Sequence, residues 1–254
     1  MMTTGVKGYA ICTEARSGSN FLCQLLASTG NLGRPLEYFN HQGRRVFDDP
    51  HYPADPDEQL DRALTQGATS NGVYGLKILS RQFGPMAAVK WTERLPGLQF
   101  IHLQRRDVLG QAISLVRAEQ TGRFRSYAKG NDRAPSYDRQ AIARMLTETA
   151  AGHARWRAYF AAKGIEALEL AYEDIVQDPA GAVSKIASRL GVQHTSVDLE
   201  KVDVKVQRDG LTDQWRERFI RESADCHHLP DLPSPHPSRL PVSTLVRAVK
   251  LLRR

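Results

Sequence analysis

A short apolar run that stops at a turn of small residues and passes straight into a helical pattern is the feature that most constrains this chain. Gly8-Tyr9-Ala10-Ile11-Cys12 is the run, Ala15-Arg16-Ser17-Gly18-Ser19-Asn20 the turn, and Phe21-Leu22-Cys23-Gln24-Leu25-Leu26 the start of the helix. Strand, tight turn and helix start in that order make a cradle for an anion. Successive N–H groups in the turn point inward, and the helix N-terminus adds partial positive charge. Arg16 contributes a full charge and a planar fork of donors. The plainer reading is a helix cap, in which a Ser or Asn side chain accepts the first free N–H groups. A nucleoside triphosphatase loop has the form G-x-x-x-x-G-K-[ST]. Ser19 and Asn20 follow Gly18 here, with no Lys.

The pattern continues along the chain. Strands are expected at Tyr9–Cys12, Gly72–Leu79, Gln99–Leu103 and Ala167–Leu170. Helices are expected over about Asn20–Ser28, Glu58–Gly67, the stretch after Asp107 that carries Val108, Ala112 and Leu115, Gln140 to about Ala162, and Pro179 to about Leu190. The last has Pro in its first turn and Gly191 as its stop. Ile142, Met145, Leu146, Trp156 and Phe160 are the inward candidates of the long helix. Residues 40–57 and 121–138 read as loops. Alternating strands and helices argue for an α/β domain with a parallel central sheet flanked by helices. Ligands of such sheets sit at the carboxyl ends of the strands. Arg16, Lys77 and the Arg105–Ser114 segment each lie at or just beyond a predicted strand end, so three anion-friendly elements meet at one edge. One domain is expected over residues 1–229. Residues 230–254 form a Pro-rich segment and a basic tail, with a short amphipathic helix near Ser243–Arg254.

Composition narrows the class without choosing a ligand. With 254 residues, 41% hydrophobic and 25% charged, the chain is an ordinary soluble globular protein. It has no apolar run long enough for a transmembrane helix and no apolar stretch of a secretory signal at its N-terminus. Cys12 and Cys23 sit in apolar patterns, and the three cysteines lack metal-ligand spacing, which fits buried thiols in a reducing cytoplasm. The net charge of +7 favours anionic ligands and specifies none. Arg239, Arg247, Lys250, Arg253 and Arg254 make the tail basic. It is either a solvated end or a weak contact with an anionic membrane surface, at the inner face of the membrane.

Several blocks carry a family resemblance. Arg16-Ser17-Gly18-Ser19 resembles the 5′-phosphosulfate loop of sulfotransferases, and Arg105 with Ser114 resembles the pair that binds the 3′-phosphate of their donor. Tyr172-Glu173-Asp174-Ile175 with Asp178-Pro179 resembles their late strand-loop-helix segment. The chain is most similar to the bacterial trehalose 2-sulfotransferase group. That likeness runs through Arg16–Leu22, Gly33–Phe39, Gly72–Leu79, Ile101–Arg117 and Asp213–Phe219. The resemblance implies a P-loop-NTPase-like sulfotransferase fold, 3′-phosphoadenosine 5′-phosphosulfate as donor, a carbohydrate or glycolipid hydroxyl as acceptor, and a homodimer. One departure stands out. Where the family has Arg-Gln-Ala-Asp before its final Trp, this chain has Val206-Gln207-Arg208-Asp209.

On that resemblance, Arg16 and the N–H groups of Ser17, Gly18, Ser19 and Asn20 hold the phosphosulfate. Arg105 and Ser114 hold the 3′-phosphate, with Arg106 as the substitute one position along. The plainer alternative pairs Arg105 with Asp107. Lys77 reaches the bridging or a sulfate oxygen, unless it is a surface lysine whose head runs out to water. Gln207, Arg208 and Trp215 close over the nucleotide, although the helical spacing of Trp215 from Phe219 favours core packing for that residue. Glu37, in the block Pro35-Leu36-Glu37-Tyr38-Phe39, is the candidate general base for the acceptor hydroxyl. Its flanking aromatic rings are expected to desolvate it and push its pKa upward. His41 and His102 are weaker candidates. A sulfate ester carries less charge than a terminal phosphate, so no metal is expected, and the eight His and three Cys form no ligand cluster. Two other classes remain: a Mg-dependent nucleotide kinase on a similar sheet, and a non-catalytic basic module for nucleic acid or anionic lipid. The missing loop Lys speaks against the first. The dispersed charge speaks against the second, and no nucleic-acid partner is expected.

Overall fold

The computed structural model describes residues 5–124, 134–193, 195–203 and 210–224. In chain order the elements are β1 (Lys7–Thr13), α1 (Ser19–Ser28), α2 (His41–Phe47), α3 (Pro56–Thr65), β2 (Val73–Leu79), α4 (Ser80–Ala87) and α5 (Trp91–Arg94). Then follow β3 (Leu98–Gln104), α6 (Val108–Thr121), α7 (Arg139–Lys163), β4 (Leu168–Ala171), α8 (Tyr172–Gln177), α9 (Pro179–Leu190), a 3-10 turn at Leu199–Lys201, and α10 (Gly210–Glu222). The sheet has the order β2-β1-β3-β4, and every neighbouring pair is parallel.

Strands β1, β2 and β3 feed both layers, while β4 gives Leu168 and Leu170 to one of them. On β1, Tyr9 and Ile11 enter the core shared with Leu22, Leu25 and Leu26 of α1 and Val183 and Ile186 of α9. Ala10 and Cys12 point the other way, into the core with Trp91, Trp156 and Phe160. Strands covered on both faces read as near-continuous apolar runs, which is why β1, β2 and β3 were legible, while β4 shows an apolar residue on either side of the exposed Glu169. A third cluster joins α6, α7 and α10 through Ile113, Val116, Ile142, Met145, Trp215 and Phe219. Trp215 is therefore a core residue, as its spacing implied. Cys12 and Cys23 are buried free thiols.

The chain leaves β1 for β2 on one side and returns to β3 on the other. That reversal opens a crevice at the carboxyl ends of β1 and β3, the usual ligand position of such a sheet.

Two sequence expectations need correction. Residues 40–57 are not simply a loop. They contain α2, whose first turn is capped by the Asn40 side chain accepting from the Gly43 N–H at 3.1 Å. Arg44 is buried there between the rings of Tyr38 and Tyr52. The third helix begins at Pro56 rather than Glu58, because Asp55 accepts from the N–H groups of Asp57 and Glu58 and Pro occupies the first turn. The tail 230–254, its predicted helix, and the middle of the 121–138 loop lie outside the described residues. Among the described residues no helix is long and apolar enough to cross a membrane.

Candidate active site

The turn after β1 is built by its neighbours. The Thr13 hydroxyl lies 2.7 Å from the Ser17 hydroxyl and 2.7 Å from the Leu103 carbonyl, which ties the turn to β3. Gln111 of α6 donates to the Ala15 carbonyl at 2.8 Å. Two residues take left-handed backbone conformations, Arg16 at φ 63 and Gly18 at φ 82. Gly18 is required twice over, since a Cβ there would also run into the ring of Tyr172. Arg16 pays a strain of about 1–2 kcal/mol and is held in place by α6. Its Nε donates to the Ser114 hydroxyl at 2.9 Å, and its Nη1 donates to the Phe124 carbonyl at 2.8 Å.

The helix-cap reading fails. No side chain caps α1, and its first bonds run from Phe21 and Leu22 to the Gly18 carbonyl at 3.0 and 3.2 Å. Asn20, the expected cap acceptor, accepts a hydrogen bond from Lys77 Nζ through its Oδ1 instead, at 2.6 Å. The helix N-terminus thus keeps its donor character toward the crevice.

Cations crowd the same spot. Burial, and then the charges of Arg105 and Arg117, lower the pKa of Arg16. Like charges gathered around uncapped N–H groups are the arrangement an anion relieves. Arg105 follows β3 directly. Its side chain is 11% exposed and its guanidinium lies 5.4 Å above the Tyr172 ring. The expected alternative partner, Asp107, sits 3.3 Å from Arg105 Nη2 but is met more closely by Arg216 at 2.6 Å. Arg105 Nε is buried without a hydrogen-bond partner. Arg106 is different: it forms an exposed two-pronged pair with Asp174 at 2.7 and 2.5 Å. Of the two neighbouring arginines, Arg105 is the one beside the cradle.

Glu37 enters from the other side. Leu36 forms a parallel bridge with Leu76, and the Lys77 N–H donates to the Leu36 carbonyl at 2.9 Å. This puts Glu37 beside Lys77, with Glu37 Oε1 2.9 Å from Lys77 Nζ. Glu37 Oε2 accepts from Asn40 at 2.7 Å and from Gln82 at 3.3 Å. Lys77 is only 5% exposed, so it is no surface lysine. The expected upward shift of Glu37 is also corrected. Burial does push its pKa up, but the Lys77 charge, the Lys77 and Asn40 hydrogen bonds and the Arg81 charge outweigh it and pull the pKa to about 2. The sequence shows the aromatic neighbours and not the lysine that faces the carboxylate across the fold.

His102 lies on the opposite face of the sheet from α1, fully buried. It sits 3.0 Å from Glu169 and 3.2 Å from His153, in a cluster separate from Glu37. His41 opens α2. Gln207 and Arg208 lie outside the described residues. Reading the sequence alone missed Asn40, Gln82, Tyr172 and Arg117 as neighbours of the site. Of these, only Asn40 had a local signal, as a helix-cap residue just past the Glu37 block. Among the described residues no three His, Cys, Asp or Glu side chains gather as metal ligands.

The family model for the Stf0 sulphotransferases matches residues 8–222. A trehalose 2-sulfotransferase of Mycobacterium tuberculosis is 27% identical over 262 residues, covering 87% of this chain and 97% of that protein. A trehalose 2-sulfotransferase of Mycolicibacterium smegmatis is 28% identical over 257 residues, covering 85% and 95%. Among solved structures, a sulfotransferase from Alicyclobacillus acidocaldarius has a TM-score of 0.46 and 16% identity, covering 87% of this chain and 94% of that one.

Proposed function

Because the chain belongs to the Stf0 sulphotransferase family, and is therefore an enzyme, we propose that it moves a sulfuryl group from 3′-phosphoadenosine 5′-phosphosulfate to a sugar hydroxyl. Family membership sets aside the nucleotide kinase and the non-catalytic basic module. The observation that carries the donor is the partnerless buried Nε of Arg105 beside Arg16 and an uncapped helix N-terminus. These groups fit a ligand with two anionic ends.

Arg16 and the N–H groups of Ser17 to Asn20 take the 5′ end. Arg105 and Ser114 take the 3′-phosphate, and Gln207 and Arg208 close over the nucleotide. The donor supplies the sulfuryl group and a phosphate leaving group. Glu37 takes the proton of the acceptor hydroxyl, and Lys77 balances the charge that grows on the leaving oxygen. The sugar rests on the names of the two mycobacterial relatives, so trehalose heads the candidates.

Calorimetry with adenosine 3′,5′-bisphosphate tests the donor: the folded protein binds it, and folded protein that fails to bind sinks the reading. Transfer of radiolabelled sulfate to trehalose, other sugars and glycolipids tests the acceptor. Label on lipid alone replaces the free sugar with a glycolipid, and label on none rejects the sugar.

A further inference from the structure

The two oxygens of Glu37 are held in different ways. Oε2 accepts from two neutral amides, Asn40 at 2.7 Å and Gln82 at 3.3 Å. Both amides are fixed from behind. Asn40 caps α2 through the Gly43 N–H at 3.1 Å, and Gln82 Oε1 accepts from the Leu79 N–H at 2.8 Å. Oε1 faces a charge, Lys77 Nζ at 2.9 Å. The same Nζ reaches Asn20 Oδ1 at 2.6 Å, and Asn20 is the last residue of the cradle. One cation therefore stands between the candidate base and the anion site. An anion seated on the turn competes with Glu37 for it.

On the reading that the cradle takes a phosphosulfate, we propose that Lys77 is a gate shared between the two substrates. It covers Glu37 Oε1 until the donor is seated, then turns to the donor oxygens and leaves Oε1 open to the acceptor hydroxyl. Asn40 and Gln82 are positioning residues that keep the carboxylate aimed, because they hold Oε2 in both arrangements. Glu37 Oε1 then takes the acceptor proton while the acceptor oxygen bonds to sulfur. The bond from sulfur to the phosphate oxygen breaks, its electron pair stays on that oxygen, and Lys77 meets the new charge. A carboxylate tied to a lysine is a poor base, and a buried carboxylate relieved of that lysine is a better one. The base is thus switched on by the donor.

Carboxyl NMR of the full chain labelled at Glu, assigned with Glu37→Gln, tests the gate. The protein alone gives a flat Glu37 signal from about pH 4 to about pH 7. With adenosine 3′,5′-bisphosphate bound, a titration step enters that window, a rise of at least about two pH units. Calorimetry on the same samples reports occupancy. A flat signal with the nucleotide bound overturns the gate and leaves the proposed function standing. Folded protein that binds no nucleotide overturns both. Lys77→Met supplies a second arm. Its Glu37 titrates inside the window without nucleotide and nucleotide adds no further rise, whereas a Glu37 that stays flat in this variant overturns the gate.

Discussion

Two buried polar clusters lie under the carboxyl ends of the strands, one on each face of the sheet, and they handle burial in opposite ways. On the α1 face, Glu37 keeps its charge because Lys77, Asn40 and Gln82 surround it. On the α7 face, His102 and His153 surrender theirs. Burial lowers both, and holds His153 at about 4 with help from the His102 and Arg157 charges. His102 Nδ1 lies 3.0 Å from Glu169 and His102 Nε2 lies 3.2 Å from His153 Nδ1; the tautomers that satisfy both contacts, Nδ1–H on each ring, make a neutral relay that leaves His153 Nε2 unpartnered. A perturbed buried group is thus no mark of chemistry by itself. The difference lies in what it faces. Glu37 is linked through Lys77 to the anion cradle, and the histidines face a packed aromatic helix surface.

The comparison breaks first on catalysis. Glu37→Gln is expected to lower turnover by roughly 10²–10⁴-fold while keeping adenosine 3′,5′-bisphosphate affinity. His153→Gln should leave turnover within a few-fold. Steady-state sulfate transfer on both variants reads this, and equal losses would erase the distinction. Next comes donor binding. Arg105→Ala removes a charged donor and should weaken the bisphosphate by about 10- to 150-fold in calorimetry. Arg106→Ala, which loses only an exposed pair with Asp174, should change it by less than about threefold. Reversed magnitudes would move the phosphate site one residue along the chain.

The smallest effect is on stability, and it separates the clusters by pH. The unfolded histidines bind protons that the buried pair refuses. The stability from the pair is therefore complete above about pH 6.5 and drains away as pH falls toward about 4. Glu37 behaves otherwise. Its contribution is intact above the ordinary carboxylate range near 4.5 and is lost only as pH falls toward about 2. Thermal unfolding should therefore show Tm falling between about pH 6.5 and about pH 5, with the slope reduced in His153→Gln and kept in Glu37→Gln. A wild-type Tm that stays level over that interval contradicts the neutral relay.

What the sequence disclosed follows from how local each signal is. The four strands are apolar runs bounded by turn residues, so their order with the helices predicted the sheet. The helix α2, His-Gln-Gly-Arg-Arg-Val-Phe, has no apolar period, and its fold depends on Arg44 seated between two tyrosines. At the site, Arg16, Glu37, Lys77 and Arg105 stood out as charges at strand ends or in short blocks. Their partners did not. The bond from Arg16 to Ser114 spans 98 positions, and the Lys77–Glu37 pair joins a strand to a loop far upstream of it. The downward pKa of Glu37 could be foreseen only by knowing that contact.

The bond from Arg16 to Ser114 has a consequence of its own. It welds the turn after β1 to the first turns of α6, so the two positions proposed for the donor's anionic ends cannot drift apart independently. On that proposed assignment the crevice would work as a ruler. A nucleotide whose charged groups have a different span, or which lacks one of them, cannot recruit the missing distance from a loose loop. On the proposed donor assignment, selection among adenine nucleotides would be set by the length between two phosphates, before any contact with the base.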